Sequence, residues 1–404
     1  MIVQFKVSNF LSIREEQVLD FTATSDKTYE ERAVVKFGNT RVSKLGVIYG
    51  PNASGKTNVL IALSFLMNFF MGRGGFNAEN DIKVTPFLMD ADSRKKPSTF
   101  SLKFYVGEVL YEYLLTLDAH RIYSEELYFY PRNRRALFYE RLWNEEKGNS
   151  TVTFGTLLGL TSTQKLFIES NCSVTTTVLA TYRSANVEKN DAFEEVCSYL
   201  EKRVIVDVQS ELERFANQVV KSENGGKEFI CEMLERADFN IADLQFRKLK
   251  DSPLPQREVL FFTHHTPFYE SEFPQRAESD GTNRMYGLSA ALFLLIKYNS
   301  VFLSDELDAS LHHDLLRQFI KTFLVNSTGG QMIFSTHDLL LLDEEYIRRD
   351  AVHFVEKGDA GETRLYRATD FGLSKEASVL SAYRAGKLGA KPQLGGIFLD
   401  SNVD

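Results

Sequence analysis

Residues 50 to 57 read Gly50-Pro51-Asn52-Ala53-Ser54-Gly55-Lys56-Thr57, two glycines followed by a lysine and a hydroxyl at a spacing that suits a polyphosphate. Gly50 and Gly55 let backbone N–H groups turn inward around an anion, and a helix beginning beside them points its positive end at the same charge. Lys56 would reach the terminal phosphates and Thr57 would hold magnesium, with Asn58 carrying the segment on into the helix. A second segment, Val301-Phe302-Leu303-Ser304-Asp305-Glu306, is a short apolar strand that ends in two acids. Phosphoryl transfer to water needs one carboxylate near the metal and another group to orient the attacking water. Asp305 suits the first role and Glu306 the second. Taken alone, such a strand reads as one meeting solvent; beside a phosphate loop it becomes a candidate catalytic edge.

Two further segments bear on the same chemistry. Ser279-Asp280-Gly281-Thr282 stands ahead of the strongly apolar stretch Leu288 to Ile296, which makes it either an ordinary N-cap or a second anion site at a helix N-terminus. Downstream of Glu306, Leu307 to His312 leads into a helix, and the strand Gln331 to Ser335 ends in Thr336-His337-Asp338. A lone histidine at a strand end is usually structural. Here it follows the acidic strand by one helix and one strand, so a neighbouring strand tip would bring His337 to a terminal phosphate.

These residues need elements to hold them. Val42 to Tyr49 reads as a buried strand feeding the loop, and Val59, Leu60, Leu63, Leu66, Met67 and Phe70 recur at helical spacing until Gly72, Gly74 and Gly75. Ile2 to Phe10 alternates as a strand, and the aromatic-rich alternating runs from Thr99 to Leu142 predict an antiparallel sheet. Between Asn190 and Leu244 the period becomes helical. Phe193, Val196, Cys197 and Leu200 form one apolar stripe, Leu212, Phe215, Ala216 and Val219 a second, and Phe229, Ile230, Met233 and Leu234 a third. Strands return at Val301 to Ser304, Met332 to Ser335 and Ala351 to Val355. The expected fold is α/β: an N-terminal lobe (1–160) with the phosphate loop and antiparallel sheet, a helical insertion (161–250), and a C-terminal lobe (251–404) with the remaining motifs.

Composition narrows the class. A net charge of −8 over 404 residues argues against a surface built to coat nucleic acid, although it leaves room for local basic patches. Cys172, Cys197 and Cys231 have no C-x-x-C spacing, so neither a disulfide framework nor a zinc site is indicated and a reducing cytoplasm is expected. The stretch Val59 to Met71 is interrupted by Ser64 and Asn68 and falls short of the ~20 residues needed to cross a bilayer. No membrane partner is expected.

With these motifs in order, the chain resembles the ABC-type ATPases that include chromosome-maintenance and break-repair heads. Among them it resembles the stand-alone bacterial AAA family ATP-binding proteins of anti-phage defence, which include the ATPase components of OLD-type, Septu and PARIS systems. The resemblance runs through Asn9-Phe10-Leu11-Ser12-Ile13, Gly50 to Thr57, Pro86-Phe87, Ser279 to Thr282, Asp305 to His312, His337 and the tail Tyr383 to Pro392. It implies ATP and Mg2+ as ligands, an ABC-type head as the fold, and homo-oligomers built from head-to-tail dimers. In those dimers Ser279, Gly281 and Thr282 would contact ATP held by a second subunit, Asp308 would lie at the seam, and His337 would sense the γ-phosphate, beside Lys56 and Glu306 as catalytic groups. This chain departs from the family pattern in two places: its signature reads Ser-Asp-Gly-Thr instead of Ser-Gly-Gly-Gln, and no glutamine lies between Gly72 and Met89 to serve as the usual magnesium-sensing residue.

Other signals point to structure. Arg132, Arg134, Arg135 and Arg141 among Tyr130, Phe138, Tyr139 and Trp143 have the composition of a single-strand stacking surface, but also that of a hairpin with its turn at Pro131 to Arg135, which is the reading preferred here. His264 and His265 lack a Cys/His pair at ligand spacing and read as strand residues. The segment after His337 is expected to be too short for a nuclease domain and shows no acidic cluster with metal-site spacing. Two functions compete: a cytoplasmic ATPase subunit that answers a phage-derived trigger and controls a separately encoded effector, a nuclease or toxin, and a DNA-handling ATPase of the chromosome-maintenance or repair type. An insertion too short and glycine-interrupted for a long coiled coil favours the first. A guanine-specific switch is disfavoured because no N-K-x-D segment exists. Surplus apolar stripes on the insertion would suit a protein partner, or equally would pack against the chain's own core.

Overall fold

The computed structural model describes residues 1–73, 81–186, 188–207, 212–248, 258–374 and 377–392. Period-two alternation builds β1 (Ile2–Ser8) and β2 (Gln17–Asp20). A short helix, α1 (Glu30–Ala33), and a hairpin, β3 (Val34–Phe37) with β4 (Thr40–Ser43), then lead to β5 (Leu45–Tyr49), which is buried throughout. The single strand expected over Val42 to Tyr49 is therefore two. Lys44 separates them, turning its buried ammonium to the carbonyls of Leu324 and Ser327 while the chain passes from the hairpin into another sheet. After β5 comes α2 (Lys56–Phe70).

The alternating runs that follow form β6 (Ser98–Val106), β7 (Val109–Leu117), β8 (Ile122–Phe129), β9 (Ala136–Asn144) and β10 (Asn149–Phe154). With the N-terminal strands they make an antiparallel sheet in the order β10-β9-β8-β7-β6-β1-β2. Pro131 to Arg135 does turn a hairpin between β8 and β9. Phe138, Tyr139 and Arg141 are buried on its second strand, which removes them from any stacking surface. Arg141 donates to the carbonyls of Ser173 and Thr176, while the buried Glu125 carboxylate accepts from Tyr113, Tyr139 and the Val178 amide. This buried pair clamps the chain after β10 to the sheet.

Next come α3 (Ser162–Asn171), α4 (Val178–Ser184), α5 (Asp191–Arg203), β11 (Val204–Asp207), α6 (Leu212–Ser222) and α7 (Gly226–Arg236). The helical stripes are where the periodicity puts them, but they face inward. Phe193, Val196 and Leu200 join the core under the antiparallel sheet, and Leu212, Ala216, Val219, Ile230, Met233 and Leu234 join the core on the other side of the molecule. They offer no surplus apolar face, so the partner-binding expectation loses that support. Strand β11 was not expected at all; it leaves the helical run to become the edge of the parallel sheet, in register with the acidic strand.

A three-stranded sheet of β12 (Ile241–Lys248), β13 (Glu258–His265) and β14 (Glu270–Pro274) precedes α8 (Asp280–Lys297), β15 (Val301–Ser304), α9 (His313–Asn326), β16 (Gln331–Ser335), β17 (Val352–Lys357), β18 (Thr363–Arg367) and α10 (Val379–Arg384). His264 and His265 are strand residues, as read. The second large sheet runs β11-β15-β16-β5-β17-β18, parallel except for its last strand. Its inner strands β5, β15 and β16 are buried at every position because helices or the other sheet cover both faces. Leu45, Val47 and Tyr49 enter the core with α8 and α9, whereas Ile48 faces the core that α2 fills against the antiparallel sheet. The fold is α/β with an antiparallel β lobe and a helical insertion, as expected. No helix among the described residues is long and apolar enough to cross a membrane.

Candidate active site

Parallel register sets the site. Ser304 of β15 pairs with Phe334 of β16, and Ser335 of β16 pairs with Ile48 of β5, so three strands end side by side at their carboxyl ends. In open α/β sheets that edge is where ligands bind. The loop Gly50 to Gly55 leaves β5 there, Asp305 and Glu306 leave β15, and Thr336 and His337 leave β16.

Local conformation explains the loop's composition. Gly55 has φ 105°, and a Cβ placed on it would lie 2.0 Å from Thr363 Oγ1; one placed on Gly50 would lie 2.3 Å from the Val355 carbonyl oxygen. Neither position tolerates a side chain. Lys56 opens α2, and its buried ammonium donates to the carbonyls of Gly50 at 2.9 Å and Pro51 at 3.2 Å, folding back over the loop. Burial holds its pKa below the usual lysine range, opposed by Asp305, Glu306 and Asp308. Ser54 Oγ is buried without a protein partner. A buried hydroxyl left open inside a glycine loop fits a loop that receives an anion's oxygens.

Thr57 Oγ1 donates to Asp305 Oδ2 at 2.7 Å, although 248 positions separate the two residues. A hydroxyl and a carboxylate brought together are hard oxygen donors, the chemistry that magnesium prefers. Asp305 is further fixed by the Ser335 hydroxyl on its other oxygen. Glu306 adopts φ 48°, a left-handed conformation uncommon for a residue with a side chain. Ser335 Oγ holds it there by accepting the Glu306 amide at 2.8 Å. The carboxylate projects outward, 58% exposed, 3.9 Å from His337 Nε2. Asp308 accepts the His337 amide at 3.2 Å, tying the turn after β15 to the tip of β16.

Asn58 donates to Ser12 Oγ at 2.7 Å, and Ser12 Oγ meets Thr363 Oγ1 at 2.6 Å. Thr363 in turn donates to the Ser54 carbonyl at 3.1 Å. The Asn9–Ile13 loop is thus strapped to the phosphate loop, and Asn9 Oδ1 accepts the Phe87 amide. The role of Thr363 was missed, and no sequence signal marks it. A cleft of about 800 Å³ opens beside the start of the phosphate loop, bounded by Gly50 to Asn52, His337 and the tail residues Tyr383, Lys391 and Pro392.

Ser279 caps α8, its Oγ accepting the Thr282 amide at 3.1 Å. Gly281 lies close to the Ser310 carbonyl, where a Cβ would approach to 3.1 Å. Ser279, Gly281 and Thr282 do not line the cleft beside the phosphate loop. Asp280 of that segment instead lines a second cavity, of about 330 Å³, together with Asp305, Glu306 and Ser310, so the chain brings together Lys56, Thr57, Asp305, Glu306 and His337 and sets the capping segment beside the two acids. Residues 74–80, within the stretch searched for a magnesium-sensing glutamine, lie outside the described residues.

A family profile described as "AAA domain, putative AbiEii toxin, Type IV TA system" matches residues 45–173 and 220–343. Those segments contain the phosphate loop, the capping segment, both acids and His337. No curated protein matches the chain. Similar solved structures include an SMC head bound to the C-winged helix domain of ScpA, with 13% identity, 93% of this chain and 98% of that one covered and a TM-score of 0.46. They also include the SMC head domain from Thermotoga maritima, with 14% identity, 91% and 98% covered and a TM-score of 0.40. An SMC head with an extended coiled coil, bound to the C-terminal domain of ScpA derived from Pyrococcus furiosus, has 12% identity, 96% and 99% covered and a TM-score of 0.41.

Proposed function

The chain belongs to this AAA-domain family, and from that premise we propose that it hydrolyses ATP with magnesium, using Lys56 and the loop amides to hold the phosphates and Glu306 to orient water. The observation that carries the reading is the 2.7 Å contact between Thr57 and Asp305, which joins the two motifs at one place. Thr57 and Asp305 would hold magnesium, whose bound form neutralises charge on the phosphate oxygens. Glu306 takes the proton of the attacking water, and its exposed carboxylate is free to do so. His337 supports the same terminal phosphate. Phosphate release from ATP, assayed with magnesium and then with excess chelator, tests this reading: turnover only with the metal supports it, and no turnover in either condition contradicts it.

The capping segment Ser279 to Thr282 acts in trans in this proposal, completing the site of a second copy in a head-to-tail dimer. The resemblance to ABC-type heads supports that arrangement. For biology, we infer a cytoplasmic regulatory subunit of an anti-phage system that answers a phage-derived trigger and controls a separately encoded effector. Support comes from the resemblance to defence ATPases and from a family description that names a toxin–antitoxin system. The alternative is a DNA-handling ATPase. Pull-down from cells carrying the native operon, with wild-type and Glu306→Gln proteins, separates them: a co-encoded protein supports the first, and DNA recovered without one supports the second.

A further inference from the structure

Arg284 lies little more than one turn into α8, just after the capping segment, and its guanidinium reaches out of the helix to three acceptors. Nη1 donates to Asp207 Oδ2 at 2.6 Å, and Nη2 donates to Ser304 Oγ at 3.2 Å and to the Glu306 carbonyl at 3.3 Å. Asp207 is the last residue of β11 and sits opposite Ser304 in the parallel register. Its carbonyl accepts the Asp305 amide at 3.1 Å, and its carboxylate accepts the Ser304 hydroxyl at 2.9 Å. Asp207 and Arg284 thus bracket the Ser304–Glu306 turn through both main chain and side chain.

Stability alone is a weak reason for such a pair. Its side chains are only 2% and 16% exposed, and a buried ion pair gains little over apolar packing once desolvation is counted. Burial pushes the Asp207 carboxyl up, and Arg284 opposes that shift. What the pair supplies is geometry: a planar fork that fixes several acceptors at once. One of those acceptors is the carbonyl of Glu306, the residue held at φ 48°. Arg284 and Asp207 line a cavity with Asp305 and Glu306, apart from the cleft bounded by Gly50 to Asn52.

We propose that Arg284 and Asp207 are positioning residues that lock the Asp305–Glu306 turn to the first turns of α8, so that a displacement of the capping segment is felt at Glu306 of the same chain. The inference rests on the ATPase reading for its consequence: a segment serving a second copy's nucleotide and a carboxylate serving the chain's own would be mechanically joined. Because β11 enters from the helical insertion and α6 packs on α8, the insertion is attached to the same lock.

Arg284→Ala should leave ATP affinity within about twofold and lower kcat by on the order of 10- to 100-fold, the scale for misplaced catalytic geometry. Arg284→Lys, the milder change, should recover part of that loss because a point charge cannot span all three acceptors. Asp207→Asn combined with Arg284→Ala should lose no more than the worse single variant, since the two act as a unit. Hydrogen exchange gives a readout that does not need turnover: amides of residues 305–307 should exchange faster in Arg284→Ala, with protection in β5 and β16 unchanged. If the wild-type protein fails to hydrolyse ATP, the ATPase reading falls, yet faster exchange at 305–307 still upholds the lock. Wild-type exchange there in folded Arg284→Ala overturns it, as does wild-type kcat in that variant, or a loss of ATP affinity that parallels the loss of kcat.

Discussion

His337 Nε2 stands 3.9 Å from Glu306 Oε1, with both side chains exposed. The two lie on turns that the Asp308–His337 and Ser335–Glu306 hydrogen bonds tie together, so they move as one edge. His337→Ala should therefore retain ATP binding while lowering single-turnover hydrolysis by about 10²-fold, the lower part of the range for a group that assists proton transfer. Rapid-quench measurement at saturating nucleotide checks this, and an unchanged rate would remove His337 from the reaction.

Capping in trans makes a different kind of prediction. Ser279→Arg should abolish hydrolysis while each subunit still binds ATP, because the serine belongs to the second copy's site. Mixing Ser279→Arg with Lys56→Ala subunits should restore at most one composite site per dimer. Activity that scaled only with monomer concentration and ignored the Ser279 change would refute the head-to-tail dimer.

Stability should carry the signature of one buried imidazole. His353 donates through Nε2 to the Asp20 carbonyl at 3.1 Å, and burial, then the nearby Arg367, hold its pKa at about 4 against an ordinary 6.5. The unfolded chain takes up this proton near pH 6.5, while the folded chain stays neutral until about pH 4. Its contribution is thus complete above pH 6.5 and is lost as pH falls toward 4, by about 3 kcal/mol in all. Chemical unfolding of wild type and His353→Gln across that range should show wild type falling more steeply. Parallel curves would contradict the assignment.

Most of the site's membership was legible because phosphate chemistry constrains residue type at short range. Gly50, Gly55, Lys56 and Thr57 lie on eight consecutive positions, and Asp305 and Glu306 close an apolar strand. What joins them was less legible, since it depends on strand order. Ser335 and Thr363 are ordinary hydroxyls until the parallel register places them beside Asp305 and Ser54. Asp207 ends the apolar run Val204-Ile205-Val206, the same pattern as Val301 to Asp305, but the helical periodicity on either side hid it. The insertion's stripes were located correctly, and their destination stayed open between a partner and the chain's own core, because amphipathicity tells which face is apolar and leaves open what covers it.

Glu306→Gln offers the most direct test of the central claim that this carboxylate orients water against bound ATP. The substitution keeps shape and hydrogen bonding at the turn and removes the base. Isothermal titration should show ATP affinity within about twofold of wild type, whereas phosphate release should fall by roughly 10²- to 10⁴-fold, the range for a positioned base. Lys56→Ala, measured alongside, should lose binding itself. Hydrolysis by Glu306→Gln at the wild-type rate would contradict the account.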